Sequence, residues 1–436
     1  MRLNTRKNWA AVASLATIAL LASGCSSTDT PAASGEAGGK VSLTLATFNN
    51  FGYTDEFLKE YTDANPNVTI THQQAATAPD ARTNLTTRLA AGGEGLADVE
   101  AIEIDWMPEL SQLPGAFVDL ESPDVEGRWL SWKEDQGRTP DGTLIGYGTD
   151  IGPQAVCYRE DLVKAAGLPS DPAAFAEYLG GKDATWDDYF KAGHDFVAKS
   201  DSAWFDSANA VYHSMVGQVE NAYEDPKTGE PVKLADNKVI QDMFTNVLTE
   251  SKDLSAGLTQ WEGDWDSAFQ NNGFATMLCP AWMTGSIEER AGGVTGWNIA
   301  DVYPGGGSNW GGSFLTVPAT GKHTEEAQKL AAWLSAPEQQ IKAFENAGTF
   351  PSQTKAQTEK ALLDSKNDFF NNAPTGQIFS SRAIALNDTK PIFRGVNYFT
   401  IHTAIQNGIT RVDVNKSQDA ETSWKGVLTE FSELGF

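Results

Sequence analysis

The sequence predicts an α/β protein with mainly parallel sheets, and three observations carry that reading. Segments with a period of two alternate along the chain with segments of helical period, beginning at Val41. A strand–helix–strand order is complete by Ile70 and then recurs. The chain has 436 residues, 40% hydrophobic and 21% charged, an ordinary globular composition at a length that calls for two lobes or one large core.

The elements follow in order. Arg2, Arg6 and Lys7 precede an apolar stretch from Trp9 to Ala22. That stretch is short for a membrane span, which needs about 20 residues, so residues 1–24 read as a secretory signal. Leu21-Ala22-Ser23-Gly24-Cys25 resembles a bacterial lipobox, with Ala22 where leucine is usual, and Cys25 would then carry the lipid. The plainer alternative is a cleaved signal with a leftover thiol. Residues 25–39 would be the lipidated cysteine and a flexible tether, because Ser26 to Gly39 holds no large apolar side chain to bury. Val41 to Phe48 alternates as a strand, and Phe57, Leu58 and Tyr61 are spaced as a helix that stops at Asn65-Pro66. Val68 to Ile70 is a strand, Arg82 to Ala91 a helix and Val99 to Ile104 a strand. Val156-Cys157-Tyr158 and Met277-Leu278-Cys279 read as further strands. Thr185 with Asp188 predicts a capping box, and Ser335 with Glu338 predicts another for a helix ending near Gly348. Ala327, Leu330, Ala331 and Leu334 share one helical face, and Trp424, Val427, Leu428 and Phe431 share that of a last helix.

Several function classes fall away. A net charge of −26 repels phosphate backbones, which argues against nucleic acid as a partner. There is no Walker loop, and in Gly305 to Gly312 the third glycine position of a dinucleotide fingerprint holds Trp310. No His-Glu-x-x-His or Gly-x-Ser-x-Gly motif occurs, and the five histidines (72, 194, 213, 323 and 402) are scattered. No metal and no cofactor are expected. A glycosidase needs two opposed carboxylates, and nothing singles out a pair among the 58 acids. Cys157 and Cys279 either bridge, if their strands are neighbours, or stay as separate buried thiols.

Three stretches resemble one family. Phe57 to Ile70, with its Asn65-Pro66-Asn67-Val68, resembles the N-terminal helix-and-strand signature of extracytoplasmic solute-binding proteins of sugar importers of the ABC class. Asp266 to Trp282 is similar to that family's Ala-Phe…Gly…Met…Trp segment, with Pro280 in place of the usual glycine. Trp310 to Pro318, followed by the helix Glu325 to Ala336-Pro337-Glu338, matches a third region. The resemblance implies a two-lobed periplasmic-binding-protein-like fold, each lobe a mainly parallel sheet flanked by helices, joined by a multi-strand hinge. It places residues 40–150 with 302–348 in a first lobe and 151–301 with 349–436 in a second. Cys157 and Cys279 would then share a lobe, which favours the bridge. It also implies a monomeric receptor, not an enzyme, that hands an oligosaccharide to an ABC permease at the outer face of the membrane. Asp150 to Arg159 and Cys279 to Met283 look most like the actinobacterial cello-oligosaccharide branch.

A sugar offers an apolar face and a rim of hydroxyls, so its site needs aromatic plates and planar polar groups. The chain holds 13 tryptophans, of which Trp282, Trp310, Trp106 and Trp204 are the stacking candidates, with Gly311 beside Trp310. Each could instead be a core aromatic. In parallel sheets ligands sit beyond the carboxyl ends of the strands, which selects Asn49, Asn50, Asp105 and Asp150 for the hydroxyls. Arg394, Asn397 and Tyr398 are the C-terminal candidates. The plainer roles are turn chemistry for Asn49 and Asn50, a helix cap for Asp105 and a surface ion pair for Arg394.

Overall fold

The structure is a computed structural model that describes residues 39–388 and 392–436. The signal segment, Cys25 and the tether as far as residue 38 lie outside the described residues. Among the described residues eleven strands carry the architecture: β1 (Val41–Phe48), β2 (Val68–Ala75), β3 (Val99–Glu103), β4 (Tyr147–Gly148), β5 (Asp150–Ile151), β6 (Gln154–Arg159), β7 (Ala203–Phe205), β8 (Phe274–Pro280), β9 (Trp297–Ala300), β10 (Ser313–Thr316) and β11 (Phe350–Pro351). One sheet has the order β2-β1-β3-β10-β4, a second has β7-β8-β6-β9, and β5 pairs with β11. β1 runs parallel to β2 and β3, whereas β10 is antiparallel to β3 and β4. In the second sheet β7 and β8 are parallel and β6 opposes both β8 and β9. Each sheet is therefore parallel but for one strand.

That reversed strand matters for the site. Because β10 runs backwards, its beginning at Ser313 lies beside Glu103, at the carboxyl end of β3.

The molecule is two-lobed, with cores that follow from the strand pattern. Around the first sheet, Leu43, Leu45, Val99, Ile102, Tyr147, Phe314 and Leu315 pack with Phe57, Leu58 and Tyr61 from the helix Asp55–Ala64. That helix starts where Thr54 accepts a hydrogen bond from the Phe57 amide at 3.2 Å. The second sheet is covered on both faces. Val156, Tyr158 and Leu278 belong to one core, and their neighbours Ala155, Cys157, Met277 and Cys279 to another. Period-two alternation sorts the side chains onto opposite faces, and both faces are apolar because helices cover each. Cys157 and Cys279 are joined as a disulfide on the second of these faces, with their Cα atoms 5.7 Å apart.

The capping box at Thr185 and Asp188 forms, opening the helix Trp186–Val197. The one expected at Ser335 does not. Pro337 occupies the first turn of the helix Pro337–Ala347, Ala336 is its cap, and the Ser335 hydroxyl donates back to Ala331 O at 2.9 Å. Proline fixes the start of the helix one residue later, and the hydroxyl is used to finish the preceding helix, Thr324–Leu334. Gly348 ends the helix in a left-handed conformation, φ 77°.

Candidate ligand-binding site

A cavity of about 410 Å³ opens where the strand ends of both sheets converge. The first sheet contributes Phe48 and Asn49 at the end of β1, Glu103 and Asp105 at the end of β3, and Trp310 to Ser313 at the start of β10, and the β5–β11 pair contributes Asp150. From the other side come Ser207, Asn209 and His213 at the helix Ala208–Val216, the turn Thr259–Trp261, Trp282 after β8, and one face of the helix Tyr398–Asp413. The volume falls in the range of small-molecule sites, about 300–1,000 Å³.

Three indoles form one corner of the cavity. Trp282 stacks on Trp261 with ring centres 6.1 Å apart and planes 21° from parallel, and meets Trp310 at 88°. The Trp282 indole N–H donates to Trp310 O at 2.8 Å, which satisfies its polar atom and fixes the corner. Gly152 makes this possible: a Cβ there would lie 1.7 Å from Trp310 O. Trp310 in turn stacks on His213, centres 4.3 Å apart.

The cavity wall also carries a group of charges. Asp105 accepts from Arg394 Nε, with Arg394 almost wholly buried behind the cavity wall. Asp150 accepts from the Ser313 amide at 2.9 Å and from the Thr149 hydroxyl at 2.8 Å. Glu103 accepts from the Asp105 amide at 2.8 Å. Burial, with Asp105 adding its repulsion, holds the Glu103 carboxyl well above the usual range, and burial raises Asp150 against the pull of Lys133. Burial also lowers Lys133 to about 7, although Asp150 and Glu103 pull the other way. Its ammonium sits 3.7 Å from the Phe314 ring centre. Among the described residues three carboxyl groups line the cavity, and no lysine or arginine side chain does.

Asn49, Asn50, Asp105, Asp150, Trp282, Trp310 and Gly311 thus come together around one space. Asn50 spends its side-chain oxygen on the Gly52 amide at 2.9 Å, and Asn49 adopts φ 47°, so turn chemistry and a place in the wall coexist there. Asp105 caps no helix; Met107–Leu110 begins at Trp106 without a side-chain cap. Five other candidates lie outside the lining. Trp106 packs on Phe48 in the first core, and Trp204 lies between Phe175, Tyr189 and Phe196 in the second. Asn397 donates to Glu224, Tyr398 stacks on His402, and Arg394 reaches the site only through Asp105. Among the described residues no group of three or more His, Cys, Asp or Glu is placed to hold a metal ion.

Residues 56–371 match the family model of the bacterial extracellular solute-binding proteins. The chain belongs to this family. Solute-binding proteins are receptors and not enzymes, and they work outside the cytoplasm. A crystal structure of an extracellular solute-binding protein of family 1 is 42% identical, covers 90% of this chain and 99% of its own, and has a TM-score of 0.77. The arabinooligosaccharide-binding protein of Bacillus subtilis (strain 168) is 25% identical over 402 residues, 86% of this chain and 87% of that one. The fold is shared with the ABC-transporter-associated binding protein of B. animalis subsp. lactis Bl-04, solved with β-1,6-galactobiose: 19% identity, TM-score 0.75, 91% of this chain and 97% of that one. Among the described residues no helix of this solute-binding protein is long and apolar enough to cross a membrane.

Several of the lining residues that the sequence reading missed are grouped on one helix. Phe399, His402, Gln406 and Thr410 recur at helical spacing on the cavity side of Tyr398–Asp413, while Ile401, Ile405 and Ile409 are buried on its other side. That stripe is legible in the sequence, beginning at the residue after the Arg394 to Tyr398 cluster.

Proposed function

We propose that this protein is the lipid-anchored receptor of an ABC importer, binding an oligosaccharide in the cavity between its lobes and passing it to the permease as a monomer. The observation that carries the reading is the corner of Trp282, Trp261 and Trp310 lining one cavity together with carboxyl groups and amides. Indoles cover the apolar face of a sugar ring, and charged acceptors bind its hydroxyls more strongly than neutral ones. Family membership and the oligosaccharide relatives support it. The lobes are taken as residues 40–150 with 302–348 and 151–301 with 349–436. The paired strands β5 and β11, and the bridge between Pro153 and Asn309, then lie where the chain crosses.

Cello-oligosaccharides are the first ligands to test, on the strength of Asp150 to Arg159 and Cys279 to Met283. The panel also holds arabino-oligosaccharides, β-1,6-galactobiose, maltose, trehalose and xylobiose. A ligand that binds only the folded protein raises its melting temperature by mass action. A shift confined to cellobiose and cellotriose supports the cello assignment, and a shift with another member replaces it. No shift with any sugar overturns the oligosaccharide reading. Whether the protein is anchored is read by mass spectrometry of the membrane fraction, where a diacylated Cys25 is expected.

A further inference from the structure

The back wall of the cavity contains a buried chain of hydrogen bonds that the reading above does not use. Tyr212 Oη lies 2.8 Å from Tyr223 Oη, Tyr223 Oη lies 2.9 Å from His402 Nδ1, and His402 Nε2 lies 3.1 Å from His213 Nδ1. Both tyrosines are 0% exposed, and the two histidines are buried apart from the cavity they line. Stacking fixes the rings: His402 against Tyr398 at 10° between planes, and His213 against Trp310.

Counting protons gives this chain a direction. Each tyrosine and each neutral imidazole brings one hydrogen, so the four groups bring one hydrogen more than their three links can use. The surplus hydrogen must project from one end. At the Tyr212 end it has no second acceptor among the described residues, and an orphaned buried donor costs about 1–3 kcal/mol. At the His213 end it sits on Nε2, which bonds no described residue and belongs to a ring that faces the cavity. We infer that His213 presents a fixed Nε2–H donor to the ligand, and that Tyr212, Tyr223 and His402 are positioning residues that lock it in that tautomer. Burial takes both imidazoles down to about 3, which keeps them neutral; Arg394 adds to this at His213, and at His402 the neighbouring His213 and Arg394 add to it while Asp105 pulls against it.

The consequence is a rule of specificity at one point of the site. Carboxyl groups and amides elsewhere in the lining can accept, whereas His213 in this tautomer can only donate. The ligand group beside it must be an acceptor, such as a ring, glycosidic or hydroxyl oxygen, and an ammonium there is refused. Only this ligand-facing half rests on the oligosaccharide reading.

The chain has five histidines, so selective nitrogen-15 labelling resolves them, and His213→Gln assigns the resonance. In the ligand-free protein, two-bond nitrogen–proton correlations are expected to show His213 as a single Nε2–H tautomer, still neutral at pH 5.5. A dominant Nδ1–H tautomer, or protonation near pH 6, overturns the proposal. Tyr223→Phe cuts the chain and is expected to give a mixture of tautomers, while Tyr212→Phe keeps the single one; an unchanged single tautomer in Tyr223→Phe overturns the locking role. Cellobiose, cellotriose and β-1,6-galactobiose are then added in turn. For a sugar that raises the melting temperature, the Nε2–H resonance is expected to move with the tautomer unchanged, and binding without that movement overturns the donor role. Failure of every sugar to bind counts against the oligosaccharide reading, while the ligand-free spectrum still decides the tautomer.

Discussion

Trp282 and Trp204 show how much at this site depends on where one ring ends up. Trp282 has its N–H satisfied by Trp310 and one face covered by Trp261, and its ring borders the cavity. Trp204 is 0% exposed inside the second core. Truncating a central aromatic anchor costs about 2 kcal/mol or more, roughly 30-fold in affinity. Trp282→Ala is therefore expected to raise the Kd about that much in calorimetry. Trp204→Phe should lower the melting temperature and leave the Kd alone. The sequence favours Trp282 over Trp204 but offers both for stacking, and packing separates them. The buried histidines make a second residue-scale prediction, about pH. Their folded values of about 3 lie below the ordinary 6.5, so the unfolded chain takes up protons first. The stabilisation they give is complete above pH 6.5 and is lost as the pH falls towards 3. By pH 5 the two together cost about 4 kcal/mol. Urea unfolding at pH 8 and pH 5 checks this: the double variant His213→Gln/His402→Gln should lose about 4 kcal/mol less between them than the parent. An equal loss in both would mean that the histidines are not buried neutral.

At the scale of elements, the helix Tyr398–Asp413 is the part that carries most of what the sequence reading did not find. Its cavity face depends on how closely its back approaches the helix Ala420–Glu433, and Gly408 sets that approach. A Cβ at Gly408 would lie 2.3 Å from Val427 Cγ2 and 3.2 Å from Phe244 Cε2. Glycine to alanine within a helix gains about 1 kcal/mol from propensity, but overpacking a filled core costs about 1–3 kcal/mol. The clash is with short, buried side chains, so the cost wins. Gly408→Ala should lower the melting temperature and, by moving Phe399, His402 and Gln406, weaken ligand binding. Gly426→Ala is the control. Its Cβ meets only the end of the flexible Arg411 side chain at 3.1 Å, so stability should hold or rise. Strand ends were the legible half of the site, because the β–α alternation locates them and the rule for parallel sheets gives them meaning. Asn49, Asp105 and Asp150 were found that way. The helix stripe needed its own periodicity to be read, and Asn397 and Tyr398 were chosen as polar neighbours of Arg394 instead. The Ser335 capping box failed for a local reason of the same kind, since Pro337 outranked the Ser–Glu spacing.

For the whole molecule, the question is what holds each lobe and what joins the two. The Cys157–Cys279 bridge closes a span of 122 residues, which by chain entropy is worth up to about 5 kcal/mol. Both cysteines lie on strands of the second sheet, on the face away from Trp204. Cys157→Ala/Cys279→Ala should therefore lower the melting temperature and leave the Kd nearly unchanged. Besides the indole corner and the crossing strands, two polar contacts join the proposed lobes. Arg82 lies over the Phe399 ring at 4.3 Å, and Arg394 pairs with Asp105. Asp105 follows β3 of the first sheet between Ile104 and Trp106, while Arg394 is flanked by Ile392 and Tyr398 of the second core. On the proposed lobe bounds the pair joins the two lobes, and its side chains are 4% and 13% exposed. Removing one partner from a buried pair costs about 3–5 kcal/mol, because the other charge is left without compensation. In an open form water would solvate Arg394, so that cost falls on the closed form alone. Asp105→Asn should accordingly shift the equilibrium towards open and weaken ligand binding, even where the ligand does not touch Arg394. Small-angle scattering separates this from a lost ligand contact. At a sugar concentration that compacts the parent, Asp105→Asn should keep its larger radius of gyration, and adding Arg394→Gln should restore much of the compaction. If Asp105→Asn compacts as readily as the parent, the pair does not join the lobes, and closure must be driven by the ligand and the indole corner alone.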